Sequence, residues 1–410
     1  MSQHIERVVV HDFSGHPFQV QLARELASRG YEATHLYCPS FQTPKGNVGD
    51  EDTKGSFASI AVPLWRPFAK YSTGKRFLQE LEYGVRISIA ILRRRPQVVL
   101  TANTPLVAAV VLQLALLMRR IPVVFWQQDV YSIAMAGHLE RKLGTPGRLA
   151  GKALIWFEKW LLRSSERVVV ISEDFIDTIA EWGTDVDRVD VIENWAPLDE
   201  LPAGTRQNPW AERHGITDEL VFLYAGSLGL KHEPSILLEL ARGFNNRSDV
   251  RVIVASEGRG ANWLNREREP HDNIELLPFQ DFEDMPDMLA SADVLLVLLE
   301  PDAGGFSVPS KVLTYLCAGR PILGAMPDEN LAARNIERTG TGIVVGPGDA
   351  QRFVSEAKRL ADDQGLRERM GRSGRAYAES TFDIVHIGDR FERILATAHG
   401  DVPQPELAKR

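Results

Sequence analysis

A chain of 410 residues, 44% hydrophobic and 25% charged, reads as a soluble globular protein with room for two or three domains. Its net charge of −8 excludes general affinity for nucleic acid. Two isolated cysteines, Cys38 and Cys317, exclude a disulfide framework and a zinc module, and fit a reducing cytosol.

The opening MSQHIERVVV already reads as a strand, so no signal peptide is expected. Arg7 to His11 is β-branched, Asp12 to Pro17 is a loop holding Gly15, and Phe18 to Ser28 has helical spacing stopped by Gly30. Ala33 to Cys38, Val98 to Thr101, Val123 to Trp126 and Val168 to Ser172 are further buried runs with helical patterns between them. The longest apolar stretch, Pro105 to Met118 with Gln113 inside it, is shorter than the roughly 20 residues a spanning helix needs, so it predicts a buried helix. Strands alternating with helices predict a parallel sheet covered on both faces. Ligands of such sheets bind beyond the carboxyl ends of the strands, which places Asp12 to Pro17, Gln127 to Tyr131 and Ser172 to Asp174 on a functional rim.

Asp199 to Pro209, with Pro202, Gly204, Asn208 and Pro209, reads as a linker. The alternation then restarts at Val221 to Ala225 and continues through Val250 to Ala255, Ile274 to Leu277, Val294 to Leu299, Ile322 to Ala325 and Ile343 to Val345. Helices are predicted over Gln351 to Leu360 and Glu379 to Ala396. The fold class is therefore α/β, two Rossmann-like domains in tandem, with the active site expected in a cleft between them.

Charge is unevenly spread. Arg66 to Arg95 holds eight basic residues against Glu80 and Glu82, interleaved with Phe68, Tyr71 and Phe77 and preceded by Trp65. A second basic segment, Arg141 to Arg167, contains Trp156, Phe157 and Trp160. Both suit an anionic membrane surface; both also suit a solvated helix face over a core.

The most informative stretch is SADVLLVLLEPDAGGFSVPSKVLTYLCAGRPILGA, residues 291–325. A buried strand leads into a glycine-bearing loop ending at Pro309, and Ser310 stands at a helix N-cap. Lys311 falls in the first turn, where the helix dipole disfavours a cation unless an anion occupies the loop. An ordinary turn with a surface lysine is the alternative. Ala225-Gly226-Ser227-Leu228-Gly229-Leu230-Lys231 follows the first strand of the second half. Gly226 and Gly229 would let backbone approach a phosphate and Lys231 would add a charge; from these residues alone, a tight turn with a solvent lysine is the simpler reading. Glu257 is a sugar or ribose ligand or a loop carboxylate. Asp129 orients a substrate hydroxyl or caps the next helix. His16 is a base or hydrogen-bond donor, or a loop histidine with neither role. No GxGxxG follows a strand, so a dinucleotide cofactor is not expected, and no acidic motif argues for a metal.

With DFSGHPFQVQLARELASRGYEATHLY at the front, VIENWAP before the linker, YAGSLGLKHE after it and ADVLLVLLEPDAGGFSVPSKVLTYLCAGRPIL late, the chain resembles a family-4 retaining glycosyltransferase of GT-B fold. The likeness is to the subgroup that builds bacterial cell-surface polysaccharides. The resemblance implies an acceptor-side domain over 1–200 completed by a C-terminal helix at 383–400, a nucleotide-sugar domain over 201–382 and a flexible tail at 401–410. It implies that the helix near Phe382 to Ala396 crosses back onto the first domain. It implies a nucleotide-diphosphate sugar as donor substrate and no separate cofactor. Lys231, Pro309, Ser310 and Lys311 would hold the diphosphate, with Gly226 and Ser227 in the adjoining turn. Leu277 to Phe279 would lie by the base, and Gly15 would approach from the first domain. The expected acceptor is a glycan or a lipid-linked sugar, the latter on the cytoplasmic leaflet if the basic aromatic segments face a membrane. Two positions depart from the family pattern: the late pair of glutamates is replaced by Phe306 and Thr314, and a rim histidine by Gln128. A nucleotide-sugar epimerase and a non-catalytic nucleotide-sugar binder are the alternatives.

Overall fold

The structure is a computed structural model that describes residues 5–40, 56–67, 73–229, 232–299, 301 and 309–401. Contacts divide it into one unit of residues 1–193 and 384–410 and a second of 194–383.

The first unit is built on seven parallel strands: β1 (Arg7–Asp12), β2 (Glu32–Tyr37), β3 (Phe57–Ala61), β4 (Val98–Ala102), β5 (Val123–Gln127), β6 (Arg167–Val170) and β7 (Val189–Val191). Their order is β3-β2-β1-β4-β5-β6-β7. Its helices are α1 (Pro17–Ser28), α2 (Thr73–Arg94), α3 (Leu106–Met118), α4 (Tyr131–Leu143), α5 (Thr145–Ser164) and α6 (Asp174–Glu181). The chain reverses direction along the sheet at β1, so right-handed crossovers put α1 on one face and α2, α3 and α5 on the other. Central strands such as Val98–Ala102 are buried throughout, as a two-sided cover demands. Tyr83, Ile87 and Ile91 of α2 and Leu112 and Leu116 of α3 close the core over Val9 and Val99.

The second unit repeats the plan with six parallel strands: β8 (Leu220–Ala225), β9 (Val250–Ala255), β10 (Ile274–Leu277), β11 (Val294–Leu298), β12 (Ile322–Ala325) and β13 (Gly342–Val345). Their order is β10-β9-β8-β11-β12-β13. Its helices are α7 (Pro209–Arg213), α8 (Ser235–Gly243), α9 (Arg259–Glu267), α10 (Met285–Ala290), α11 (Lys311–Ala318), α12 (Leu331–Thr339), α13 (Ala350–Asp362) and α14 (Gln364–Thr381). Phe222, Phe244, Leu296 and Phe353 centre its core. The linker-like residues are packed onto this unit. Arg206 Nε bonds Asp293 at 3.3 Å, and the Asn208 amide donates to Ser291 Oγ at 3.0 Å and the Asp287 carbonyl at 2.9 Å.

The last helix, α15 (Ile384–His399), belongs to the first unit. Phe391 lies 4.7 Å from Trp126 between ring centroids, and Arg29 donates to Asp389 at 2.6 Å and Glu392 at 2.9 Å.

The single helix expected over 379–396 is two helices, broken at Phe382–Asp383. The sequence reading also lacks α14, because Gly365, Gly371 and Gly374 weaken its helical signature. Gly371 is there for close approach: a Cβ on it would stand 2.3 Å from the Gly319 carbonyl oxygen. Strands β3 and β7 were not foreseen either; each is a short strand at a sheet edge.

Candidate functional site

Each sheet reverses its strand order once, at β1/β4 and at β8/β11. The crevice beyond the strand ends at such a reversal is where ligands of doubly wound sheets bind.

In the second unit the reversal brings together Gly226, after β8, and Lys311, at the start of α11. Tyr315, one turn further along α11, fixes this placement. Its hydroxyl accepts from the Ala225 amide at 3.0 Å and lies 3.1 Å from the Ala225 carbonyl, to which it donates. Lys311 Nζ lies 3.8 Å from the centroid of the Tyr224 ring. Tyr224 in turn donates its hydroxyl to the Ser227 carbonyl at 2.8 Å. The Lys311 ammonium is buried and has no hydrogen-bond partner among the described residues. Burial pulls its pKa down to about 7. Gly226 has φ +124°, and a Cβ there would sit 3.3 Å from Lys311 Nζ. A side chain would strain the backbone and crowd the ammonium.

The neighbouring loops are interlocked. The Gly260 amide donates to the Leu228 carbonyl at 2.9 Å, and the Leu228 amide to the Glu257 carbonyl at 3.3 Å. The Gly229 amide donates to His232 Nδ1 at 2.9 Å, a turn-closing role with no counterpart in the sequence reading. Glu257 is exposed on this rim, Leu277 is half-buried at the end of β10, and Phe279 is 43% exposed beyond it. Ser310 occupies the N-cap of α11, as expected, but its side chain makes no cap bond; Pro309 before it is half-buried. Lys231 and residues 302–308, including Phe306, lie outside the described residues.

In the first unit the reversal gathers Asp12, His16 and Asn103. Asp12 ends β1 and is fully buried. Its carboxylate accepts from the Ser14 amide at 3.0 Å, from the His16 amide, and from His16 Nδ1 at 3.1 Å. Gly15, with φ +74°, turns the chain so that His16 can come back onto Asp12. The Asn103 amide nitrogen, following β4, lies 3.2 Å from the same imidazole nitrogen. Burial alone would push the Asp12 pKa up, but the His16 charge and hydrogen bonds outweigh it and hold it below the ordinary value. Burial alone would lower the His16 pKa. Asp12 overrides that, Asp129 adds to it, and the imidazole is raised above its ordinary value. The sequence reading placed Asp12 on the rim without a role and did not name Asn103. A carboxylate ending a strand with histidine four residues on, across a glycine, is the signal that marks the pair.

Gln128 is buried and Asp129 exposed after β5. The alternative that Asp129 caps the next helix gives way to another residue. Glu158, buried on α5, accepts from the first amides of α4, Tyr131 at 3.2 Å and Ser132 at 3.0 Å. Ser172, on the third rim loop, donates to Asp174 at 2.9 Å, a local turn. Among the described residues no three His, Cys, Asp or Glu side chains converge as a metal site would need.

Comparison with known proteins fits this geometry. Residues 16–195 match the model for the glycosyl transferase 4-like domain, and residues 207–377 match that for glycosyl transferases group 1. A colanic acid biosynthesis glycosyl transferase of Escherichia coli K12 is 23% identical over 389 residues, 90% of this chain and 93% of that protein. A GDP-mannose-dependent mannosyltransferase of Corynebacterium glutamicum, acting on a phosphatidylinositol monomannoside, is 26% identical over 187 residues, 44% of this chain and 48% of that protein. The fold matches that of HepE from Anabaena, solved with UDP and glucose, at a TM-score of 0.65 and 15% identity, covering 96% of this chain and 100% of that one. With one transferase model over each unit, the chain belongs to the family-4 glycosyltransferases of GT-B fold.

Proposed function

We propose that the protein moves a sugar, with retention of anomeric configuration, from a nucleoside diphosphate sugar to a lipid-linked glycan, in the biosynthesis of a cell-surface polysaccharide. The observation that carries this reading is Lys311: a buried ammonium over an aromatic face, with no hydrogen-bond partner among the described residues, beside a glycine at the sheet reversal. A cation left without a carboxylate in a desolvated place favours an anionic ligand.

Breaking a glycosyl phosphate bond builds negative charge on the departing diphosphate. Lys311 and the backbone amides at Ser310 stabilise that charge by being in place before it develops, and Lys231 supplies a second ammonium. Gly226 and Ser227 admit the phosphates, Glu257 takes a sugar or ribose hydroxyl, and Leu277 and Phe279 flank the base. The acceptor hydroxyl attacks the face from which the diphosphate leaves and gives its proton to the departing phosphate oxygen. That route uses no enzyme nucleophile and no metal. The rim of the first unit serves the acceptor through Asp129, accepting from a sugar hydroxyl, and Gln128, while Gly15 approaches the donor and His16 donates it a hydrogen bond. The colanic acid relative supports a role in polysaccharide synthesis and the phosphatidylinositol monomannoside relative a lipid-borne glycan acceptor, and the UDP complex of HepE supports a nucleoside diphosphate donor.

The test is to incubate the protein with UDP-, GDP- and ADP-sugars, with and without lipid-linked glycans, in the presence of a chelator. Donor consumption only with acceptor, giving a product of unchanged anomeric configuration, supports the proposal. Epimer formed without acceptor, or binding without turnover, overturns it.

A further inference from the structure

The helices covering one face of the first sheet carry a surface unlike the rest of the molecule. Eleven of the fourteen large apolar side chains exposed among the described residues stand on α2, α3, α4 and α5 or in the loop entering α2. Helix α2 is apolar on two sides. Tyr83, Ile87 and Ile91 are buried, whereas Phe77, Leu78, Val85 and Ile89 are 51%, 66%, 52% and 45% exposed. On α5, Leu149 and Trp156 are 63% and 61% exposed, seven residues apart and so on one side of the helix.

The charges around these side chains are mostly basic, with Glu140 at the end of α4 an exposed acid among them. Residues 141–163 hold Arg141, Lys142, Arg148, Lys152, Lys159 and Arg163 against a single acid, Glu158. That acid is buried and bonded to α4 amides. The acids of α2 are also engaged: Glu80 is buried against Arg76 at 2.7 Å, and Glu82 accepts from the Trp65 amide at 2.8 Å. Trp65 is 82% exposed yet held in place, with its amide on Glu82 and the Arg86 guanidinium 5.7 Å from its ring centroid.

These elements are continuous. Arg76 donates to the Tyr131 hydroxyl at 2.6 Å, tying the start of α2 to the start of α4. Gly147 and Gly151 bring α5 against Leu139 and Ala136, antiparallel to α4, so Trp156 comes level with the start of α4. Exposed tryptophan, phenylalanine and leucine among lysines and arginines, with Glu80, Glu82 and Glu158 engaged inside the unit and Glu140 an exposed acid on α4 outnumbered by its basic neighbours, match a bilayer interface carrying negative headgroups. No helix among the described residues is long and apolar enough to cross a membrane, so the contact is one of lying on the surface.

We infer that this face of the first unit docks on an anionic phospholipid bilayer, with Trp65, Phe77, Leu78, Leu149 and Trp156 entering the headgroup layer. The inference deepens the proposed function, since it rests on a membrane-borne acceptor. Its test uses no donor or acceptor. The full-length protein is floated with phosphatidylglycerol/phosphatidylcholine vesicles and with phosphatidylcholine vesicles, at low and high salt. Flotation with the anionic vesicles alone, lost at high salt, is the expected result. Arg148→Gln and Lys152→Gln should each weaken partition about fivefold, the effect of roughly 1 kcal/mol per basic residue at such a surface. A Trp65→Ser, Leu149→Ser, Trp156→Ser triple variant should lose flotation while keeping wild-type circular dichroism and nucleoside diphosphate binding. Three results would overturn the inference: no flotation at low salt, equal flotation with neutral vesicles, or a triple variant that changes only the oligomeric state. Turnover on a water-soluble acceptor analogue, measured alongside, judges the transferase reading independently.

Discussion

The Lys311 ammonium sits 3.8 Å above the Tyr224 ring, and among the described residues no hydrogen-bond acceptor reaches it. The π-face offsets part of the desolvation cost of the charge and leaves the cation available to a ligand. Replacing Lys311 with methionine removes a charge aimed at a developing anion. Turnover should fall about a hundredfold to a thousandfold, the range for losing one preorganised donor. Thermal stability should hold or rise, because an uncompensated buried cation is gone. Steady-state kinetics beside a melting curve checks both, and near wild-type turnover would refute the role.

Protonation of the same lysine should be coupled to ligand binding. Its pKa is about 7 in the folded protein against an ordinary 10.5. Between those values the unfolded chain binds the extra proton, so this group makes stability rise as pH increases from about 7 toward 10.5. A diphosphate on Lys311 restores the charge, so binding above pH 7 should take up a proton and weaken as pH rises. Calorimetry in buffers of different ionisation enthalpy reads the uptake, which Lys311→Met should abolish.

Much of this architecture is legible in the sequence, and the exceptions have physical causes. Apolar runs of four to six residues betray central strands because both faces are covered, as in Val98–Ala102 and Val294–Leu298. The edge strands β3 and β7 are only partly buried, so they leave a fainter pattern. At the site, Ser310 and Lys311 stand out through their place at a helix start. Glu158 does not, because what it satisfies lies 26 and 27 residues earlier, on another helix.

The Asp12 and His16 pair should set a pH window for stability. Asp12 is depressed below 3.8, so its contribution is present above that value and is lost as pH falls through the lower folded pKa. His16 is raised above 6.5, so its contribution is complete below that value and is lost as pH rises through the higher folded pKa. Asp12→Asn removes the main partner, leaving burial opposed only by Asp129 and Gln19, so the His16 pKa should fall from its raised value. The variant should lose about 1–3 kcal/mol. Proton NMR titration of the His16 ring checks the direction of the shift.

Tyr315→Phe tests how α11 is held. The hydroxyl bonds both the amide and the carbonyl of Ala225, and its loss leaves a partly buried amide unsatisfied, at about 1 kcal/mol or more. Because Lys311 rides on the same helix, donor affinity should fall with stability. Gly226→Ala should act on the ligand side more strongly, since its Cβ would crowd the ammonium in a backbone region that side chains avoid. Nucleotide titration and denaturant melts on both variants separate the two effects.

The return of α15 to the first unit has a consequence for how the chain is made. Phe391 covers Trp126, and Arg29 takes two carboxylates from the same helix. The amino-terminal unit therefore cannot seal its interior until residues 384–399 have been made, after the whole of the second unit. The carboxy-terminal half, residues 194–383, is an insertion within its neighbour, and every part of it has left the ribosome's decoding centre by then. The unit that begins first is completed after its neighbour, and removing α15 would damage the unit at the opposite end of the sequence.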